Sequence, residues 1–195
     1  MDLRGKKLIL ASGSPRRREL LAGLDVPFEV DTRNCFDESF APDTPHEEVP
    51  ALMSTGKSHG FWRPLKPGEI LITSDTMVLL DGLIMGKPHS RSEAVDMLRK
   101  LSGRTHEVIS AVTLRDASHE ETVSDVTKVA FRAFIPEEID YYIDKYAPFD
   151  KAGGYGIQEW IGYAACTGIE GSFFNVMGFP VHQVYALLKK FIDYE

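Results

Sequence analysis

The sequence predicts a mixed-sheet α/β domain with a cleft, and three observations carry that expectation. Segments with strand and helix character interleave along the chain without strict βαβ alternation. Asp81-Gly82 separates the apolar runs Met77 to Leu80 and Leu83 to Met85, a strong hairpin signal. His106 to Leu114 and Glu121 to Phe134 alternate as strands around a polar turn at Asp116 to Glu120. At 195 residues the chain is expected to form a single domain, residues 1–195, with ample sequence for a buried core.

The elements follow in order. Lys7-Leu8-Ile9-Leu10-Ala11 reads as a buried strand. Ser14 suits an N-cap and Pro15 the first position of a helix in which Leu20, Leu21 and Leu24 recur at helical spacing. Phe28 to Thr32 reads as a second strand, and the proline-broken stretch to Pro50 as a loop or interrupted helix. A short helix is expected around Lys57, ended by Pro64 and Pro67-Gly68. Ile70 to Ser74 forms a buried strand with Asp75-Thr76 at its end. Ser92 to Leu101 places Ala94, Met97, Leu98 and Leu101 on one helical face, with Gly103 as the stop. Pro136 opens a helix through Tyr146, a glycine-rich region runs from Lys151 to Pro180, and a last amphipathic helix reaches about Ile192.

Composition narrows the class of function. Hydrophobic content of 43% and charged content of 26% are those of a soluble globular protein. No apolar run approaches the roughly 20 residues that cross a bilayer, so no membrane association is expected. The first residues lead into a strand without a signal-peptide pattern, and Cys35 and Cys166 lie far apart in no metal or redox spacing. A cytoplasmic location is the expectation. The net charge of −7 makes nucleic-acid polymers poor partners. Lysines and arginines gathered near glycine-rich turns instead suggest a small anionic ligand.

The densest chemistry lies in Ser12-Gly13-Ser14-Pro15-Arg16-Arg17-Arg18. Three arginines in the first turn oppose the positive end of the helix dipole, an unfavourable place for cations unless an anion arrives there. A phosphate chain would satisfy the free N–H groups and guanidinium groups together. The plainer reading is a capped helix with solvated arginines. Asp75, after a buried run, suits a metal ligand or the orienting group of an attacking water, and equally a turn-capping aspartate. Thr76 beside it is a substrate contact or an ordinary strand residue. Lys87 is directed by Gly86 and Pro88, whereas Lys57 on its helix and Glu38 in its loop read equally as surface charges. In Lys151-Ala152-Gly153-Gly154-Tyr155-Gly156-Ile157-Gln158, three glycines suit a strand closely approached by a ligand, or a glycine-rich turn. Lys151 could then meet a phosphate and Gln158 a base edge. Neither the dinucleotide fingerprint nor the P-loop pattern is present. His106, a lone histidine at a strand start, reads as structural.

Taken together, these segments resemble the Maf family of nucleoside triphosphate pyrophosphatases. The match runs through S-G-S-P-R-R at Ser12 to Arg17, Asp75-Thr76, G-K-P at Gly86 to Pro88, L-S-G-R-T-H at Leu101 to His106, K-A-G-x-Y-G-I-Q at Lys151 to Gln158, and Gly171-Ser172 with Gly178-Phe179-Pro180. The resemblance implies a mixed, largely antiparallel twisted sheet flanked by helices, with a central nucleotide-binding cleft. It further implies hydrolysis between the α and β phosphates, dependent on a divalent cation, Mg²⁺ or Mn²⁺. It makes Asp75 the proton acceptor, Lys57 and Lys87 catalytic, Ser12, Ser14, Arg17 and Lys151 substrate-binding, and Glu38 with Asp75 the metal ligands. Arg16, Thr76 and Gln158 are similar to the specificity residues of the branch acting on dTTP and UTP, so modified pyrimidine nucleotides and a pool-cleaning role are implied as well. A homodimer is left open. Glu159 departs from the family pattern, standing where a glycine usually follows the glutamine. Activity on purine or 7-methyl-GTP nucleotides, and a nucleotide-binding regulator of cell division without catalysis, are the competing readings.

Overall fold

A computed structural model of the chain describes residues 2–193. The elements run β1 (Lys7–Leu10), α1 (Pro15–Ala22), β2 (Glu29–Val30), α2 (Val49–His59), β3 (Glu69–Leu80), β4 (Leu83–Met85), α3 (Arg91–Leu101), β5 (Thr105–Arg115), β6 (Glu120–Phe131), α4 (Pro136–Tyr146), α5 (Trp160–Ala165), β7 (Cys166–Glu170), α6 (Phe173–Val176) and α7 (Val181–Asp193). Among the described residues seven strands form a mixed sheet in the order β2-β1-β3-β5-β6-β7, with β4 paired to β3. The mixed α/β architecture is the one expected. The chain divides into two compact units: residues up to Asp75 with Ser110–Asp125 and those from Gly178 onward, and Thr76–Ile109 with Val126–Met177.

In the first unit β1 lies parallel to both β2 and β3. Leu8, Ile9, Leu10 and Ile70, Leu71, Ile72 are buried, the near-continuous apolar reading expected of parallel strands. Phe61 packs with Ile9 and Leu71. A chain of hydroxyls ties α2 to the strands. Thr73 Oγ1 donates to the Ser54 carbonyl at 2.7 Å, and Ser54 Oγ meets Thr113 Oγ1 at 2.8 Å. Thr113 meets Thr122 at 2.8 Å, and Thr122 meets Thr55 at 3.0 Å.

In the second unit β3 turns into β4 with Leu80 opposite Leu83. Asp81 and Gly82 both have positive φ, 51° and 73°, which a two-residue hairpin of the favoured twist requires. Ser90 caps α3 by accepting from Glu93 N at 3.2 Å. Arg91 reaches Asp140 at 2.8 Å and Asp144 at 3.0 Å on α4. His106, Phe131 and Tyr155 form a buried aromatic group with ring centroids 5.0–5.3 Å apart. His106 Nε2 is hydrogen-bonded to the Tyr155 hydroxyl at 2.7 Å, and burial pushes the imidazole down to about 4. The structural reading of His106 holds.

Six expectations need correction. Asp75-Thr76 does not end a strand: β3 runs on through Leu80, and the Asp75 carboxylate inside it is met by the Lys57 ammonium. The second strand is only Glu29–Val30, two residues paired with Ile9 and Leu10. Lys151 to Gln158 is no strand. Gly153 and Gly154 sit at φ 72° and 71°, left-handed values that make a tight turn instead. The region beyond it is also regular in part, carrying α5, β7 and α6. At the boundaries, α2 closes at Gly60, well before Pro64, and β6 ends at Phe131 instead of Phe134.

Candidate functional site

The first unit gathers most of the predicted side chains. Ser14 caps α1, its hydroxyl accepting from Arg17 N at 3.4 Å, with Pro15 at the first helical position as expected. Ser12, buried just before, accepts from Ser14 N at 3.3 Å and from Arg17 Nη1 at 3.4 Å. Arg17 also donates from Nη1 to the Ser74 carbonyl at 2.8 Å and from Nε to the Gly178 carbonyl at 2.9 Å. Its guanidinium therefore locks the helix start to the strand position just before Asp75. Burial pulls the guanidinium below its ordinary value, while the Asp75 carboxylate opposes that shift. Arg16, in the same first turn, is half-buried.

Lys57, on α2, is the hub of the acidic groups. Its ammonium donates to Asp75 Oδ1 at 2.7 Å and lies 3.1 Å from Glu38 Oε2. Lys57 and Asp75 are each 17% exposed and Glu38 62%, so the pair is sheltered and its third member faces solvent. Glu38 reaches Lys57 because its loop is seated on α2. Asn34 Nδ2 donates to the Lys57 carbonyl at 2.6 Å, Cys35 N donates to the Gly60 carbonyl at 2.8 Å, and Asn34 pairs with Phe61 as an isolated bridge. The seat exists because two glycines one turn apart leave room. A Cβ on Gly56 would lie 2.2 Å from Phe36 Cζ, and one on Gly60 would lie 2.5 Å from Phe36 Cβ. The local pattern missed this seat, although a glycine inside a helix, as Gly56 is in α2, is a cost that something must offset.

The remaining predicted residues lie in the second unit. Thr76 follows Asp75 in β3 and is half-buried. Lys87 is exposed, and its preceding Gly86 carbonyl accepts from Gly153 N at 2.9 Å, which brings the G-K-P turn to the glycine-rich turn. Lys151 is buried, with its ammonium 2.8 Å from Asp150 Oδ1 and 3.1 Å from Glu159 Oε1. Gln158 Oε1 is buried and has no hydrogen-bond partner among the described residues. Glu159, which departs from the family pattern beside Gln158, accepts from the Tyr142 hydroxyl; seventeen positions apart on α4 and in the loop before α5, the two carry no joint local signal.

The donor set bears on a metal. Among the described residues no three His, Cys, Asp or Glu side chains converge. Glu38 and Asp75 nevertheless approach the same Lys57 ammonium, so two carboxylates are held near one cationic position. Such a pair fits a hard divalent ion whose other ligands are phosphate oxygens and water. A set of side chains alone would not fit a fully protein-built cage.

Residues 7–191 match the family model described as Maf-like protein. The chain is 49% identical over 189 residues to a dTTP/UTP pyrophosphatase of Phocaeicola vulgatus, covering 97% of this chain and 98% of that one. It is 47% identical to a dTTP/UTP pyrophosphatase of Bacteroides thetaiotaomicron, with 94% and 95% covered, and 45% identical to one of Porphyromonas gingivalis, with 97% and 96% covered. Among solved structures it is similar to a HAM1 protein from Coxiella burnetii, with a TM-score of 0.49 and 12% identity over 95% of this chain and 99% of that one. The chain belongs to the Maf family. No helix among the described residues is long and apolar enough to cross a membrane.

Proposed function

We propose that this protein is a nucleoside triphosphate pyrophosphatase that hydrolyses dTTP and UTP, with modified pyrimidine nucleotides, to the monophosphate and pyrophosphate. The observation that carries this reading is the Asp75–Lys57–Glu38 cluster in the same unit as the arginine-bearing, serine-capped start of α1. The dTTP/UTP pyrophosphatase relatives, matched over nearly full length, support it. Its biological role is to clean the nucleotide pool of the cytoplasm, with residues 1–195 acting as one catalytic domain and no nucleic-acid polymer as partner.

In this reading the α1 N-terminus, Ser12, Ser14 and Arg17 hold phosphate oxygens, and Lys87 neutralises a further one. Asp75 takes the proton from a water as its oxygen bonds to the α phosphorus. The bond from that phosphorus to the bridging oxygen breaks, and pyrophosphate leaves with the electron pair. Lys57 fixes the Asp75 carboxylate by its hydrogen bond and offsets charge on the phosphates. Glu38 and Asp75 would hold Mg²⁺ or Mn²⁺, which supplies further neutralisation of the triphosphate. Arg16, Thr76 and Gln158 select the base. The Gln158 amide carries both a donor and an acceptor, the group types that match the carbonyl and N–H on the base-pairing edge of uracil or thymine.

The test is pyrophosphate release from a panel of canonical and modified triphosphates with Mg²⁺, with Mn²⁺ and with chelator. Preference for dTTP and UTP supports the reading. Equal or better turnover of GTP or 7-methyl-GTP overturns the base selectivity, and no release from any nucleotide overturns the activity.

A further inference from the structure

Lys151 belongs to a network that its neighbours in sequence do not suggest. Glu159 Oε1 lies 3.1 Å from Lys151 Nζ, and its Oε2 accepts a hydrogen bond from the Tyr142 hydroxyl. The same hydroxyl accepts from Gly156 N at 2.9 Å, so one chain of polar contacts runs from the backbone of the turn to the buried lysine. Tyr142 has no exposed surface, and burial with the adjacent Glu159 carboxylate holds its phenol well above the ordinary range, so it donates as a neutral group. Gly156 lets the Gln158 and Glu159 side chains fold back over it. A Cβ there would lie 2.9 Å from Glu159 Cδ and 3.1 Å from Gln158 Nε2. The Glu159 carboxylate and the Gln158 amide therefore crowd the same glycine. The Lys151 charge, with Asp150 also 2.8 Å away, is already matched within the unit.

We propose that Glu159 is a specificity-determining positioning residue: with Tyr142 and Lys151 it fixes the turn that aims the Gln158 amide, and Lys151 acts on base choice instead of phosphate affinity. This rests on the base-selecting role of Gln158 proposed above. A lysine that touches phosphate and a lysine that braces the turn predict different kinetics. Removing a phosphate contact weakens every triphosphate alike and also weakens tripolyphosphate. Loosening the turn lowers discrimination between uracil and cytosine nucleotides and spares the phosphate chain.

The experiment compares wild type with Tyr142→Phe, Glu159→Gln, Glu159→Ala and Lys151→Met. It measures kcat/KM for UTP and CTP, calorimetric binding of non-hydrolysable UTP and CTP analogues, inhibition by tripolyphosphate, and melting temperature. The expected result is a UTP:CTP preference reduced about tenfold or more in Glu159→Ala and Lys151→Met, and less in Glu159→Gln, which keeps an acceptor for Tyr142. Tripolyphosphate affinity stays within about twofold of wild type. An unchanged UTP:CTP ratio in all folded variants overturns the proposal, as does a tenfold loss of tripolyphosphate affinity in Lys151→Met. Should the wild type hydrolyse nothing, yet bind UTP analogue over CTP analogue and lose that preference in the variants, the pyrophosphatase reading falls and this one stands. Should it bind neither analogue, both fall. Tyr142→Phe, the most conservative change, keeps the test decisive if Lys151→Met fails to fold.

Discussion

Replacing Asp75 with asparagine separates chemistry from architecture at the centre of the site. Asparagine keeps an oxygen where Asp75 Oδ1 accepts from Lys57 at 2.7 Å, and it removes the negative charge and the basicity. The gross attraction across 2.7 Å is about 6 kcal/mol at an effective dielectric of about 20, most of it offset by desolvating two sheltered groups. A charge-assisted bond is worth about 1.5–3 kcal/mol net and a neutral one about 1, so the variant loses about 1–2 kcal/mol of stability. For a chain of this size that lowers the melting temperature by roughly 2–8 °C, which leaves the protein folded at 25 °C. Turnover falls far more, by about 10²–10⁴, because a positioned proton acceptor is lost. The assay is pyrophosphate release from dTTP under saturating Mg²⁺, paired with calorimetric binding of a non-hydrolysable analogue. Turnover within about tenfold of wild type, in a variant that binds and melts as described, refutes the role of Asp75.

Three further outcomes follow from the same structure. Glu38→Gln, at an exposed position, is expected to raise the Mg²⁺ concentration giving half-maximal pyrophosphate release while sparing kcat at saturating Mg²⁺; an unchanged metal titration refutes Glu38 as a ligand. Ser14→Ala removes the α1 cap and costs about 1 kcal/mol, read as a 2–4 °C fall in melting temperature, together with a higher KM for dTTP. The folded pKa of His106, about 4, lies below its unfolded value of 6.5, so its contribution is fully present above pH 6.5 and is lost as pH falls toward 4. Urea unfolding is expected to show about 2 kcal/mol less stability from this group at pH 5 than at pH 7.5, and His106→Gln is expected to flatten that difference.

Local signals were the most readable. The Ser14 cap, Pro15 and the Asp81-Gly82 hairpin depend on neighbours within four residues, and all three hold. β3 was harder, because Asp75-Thr76 reads as a strand end when the Lys57 ammonium that meets the Asp75 carboxylate lies eighteen residues away, in α2. The same distance effect hid the seat of Phe36 on Gly56 and Gly60, and the joining of Tyr142 to Glu159. Lys57, which its neighbours alone left as readable as a surface charge and which only the resemblance made catalytic, proves to be the hub of two carboxylates, for the same reason. Lys151 shows the converse limit. Its place beside three glycines suggested an open cation, whereas side chains on either side of it take up its charge.

The glycine seat on α2 reverses a common rule of protein engineering. Replacing a helical glycine with alanine normally stabilises a helix by up to about 1 kcal/mol, so Gly56 would be an early choice in any effort to raise heat tolerance. Here the new methyl would fall 2.2 Å from Phe36 Cζ, and at Gly60 it would fall 2.5 Å from Asn34 Oδ1. A stiffer helix would be obtained by lifting the loop that delivers Glu38, so a hardened enzyme and a working one would call for different residues at these two positions.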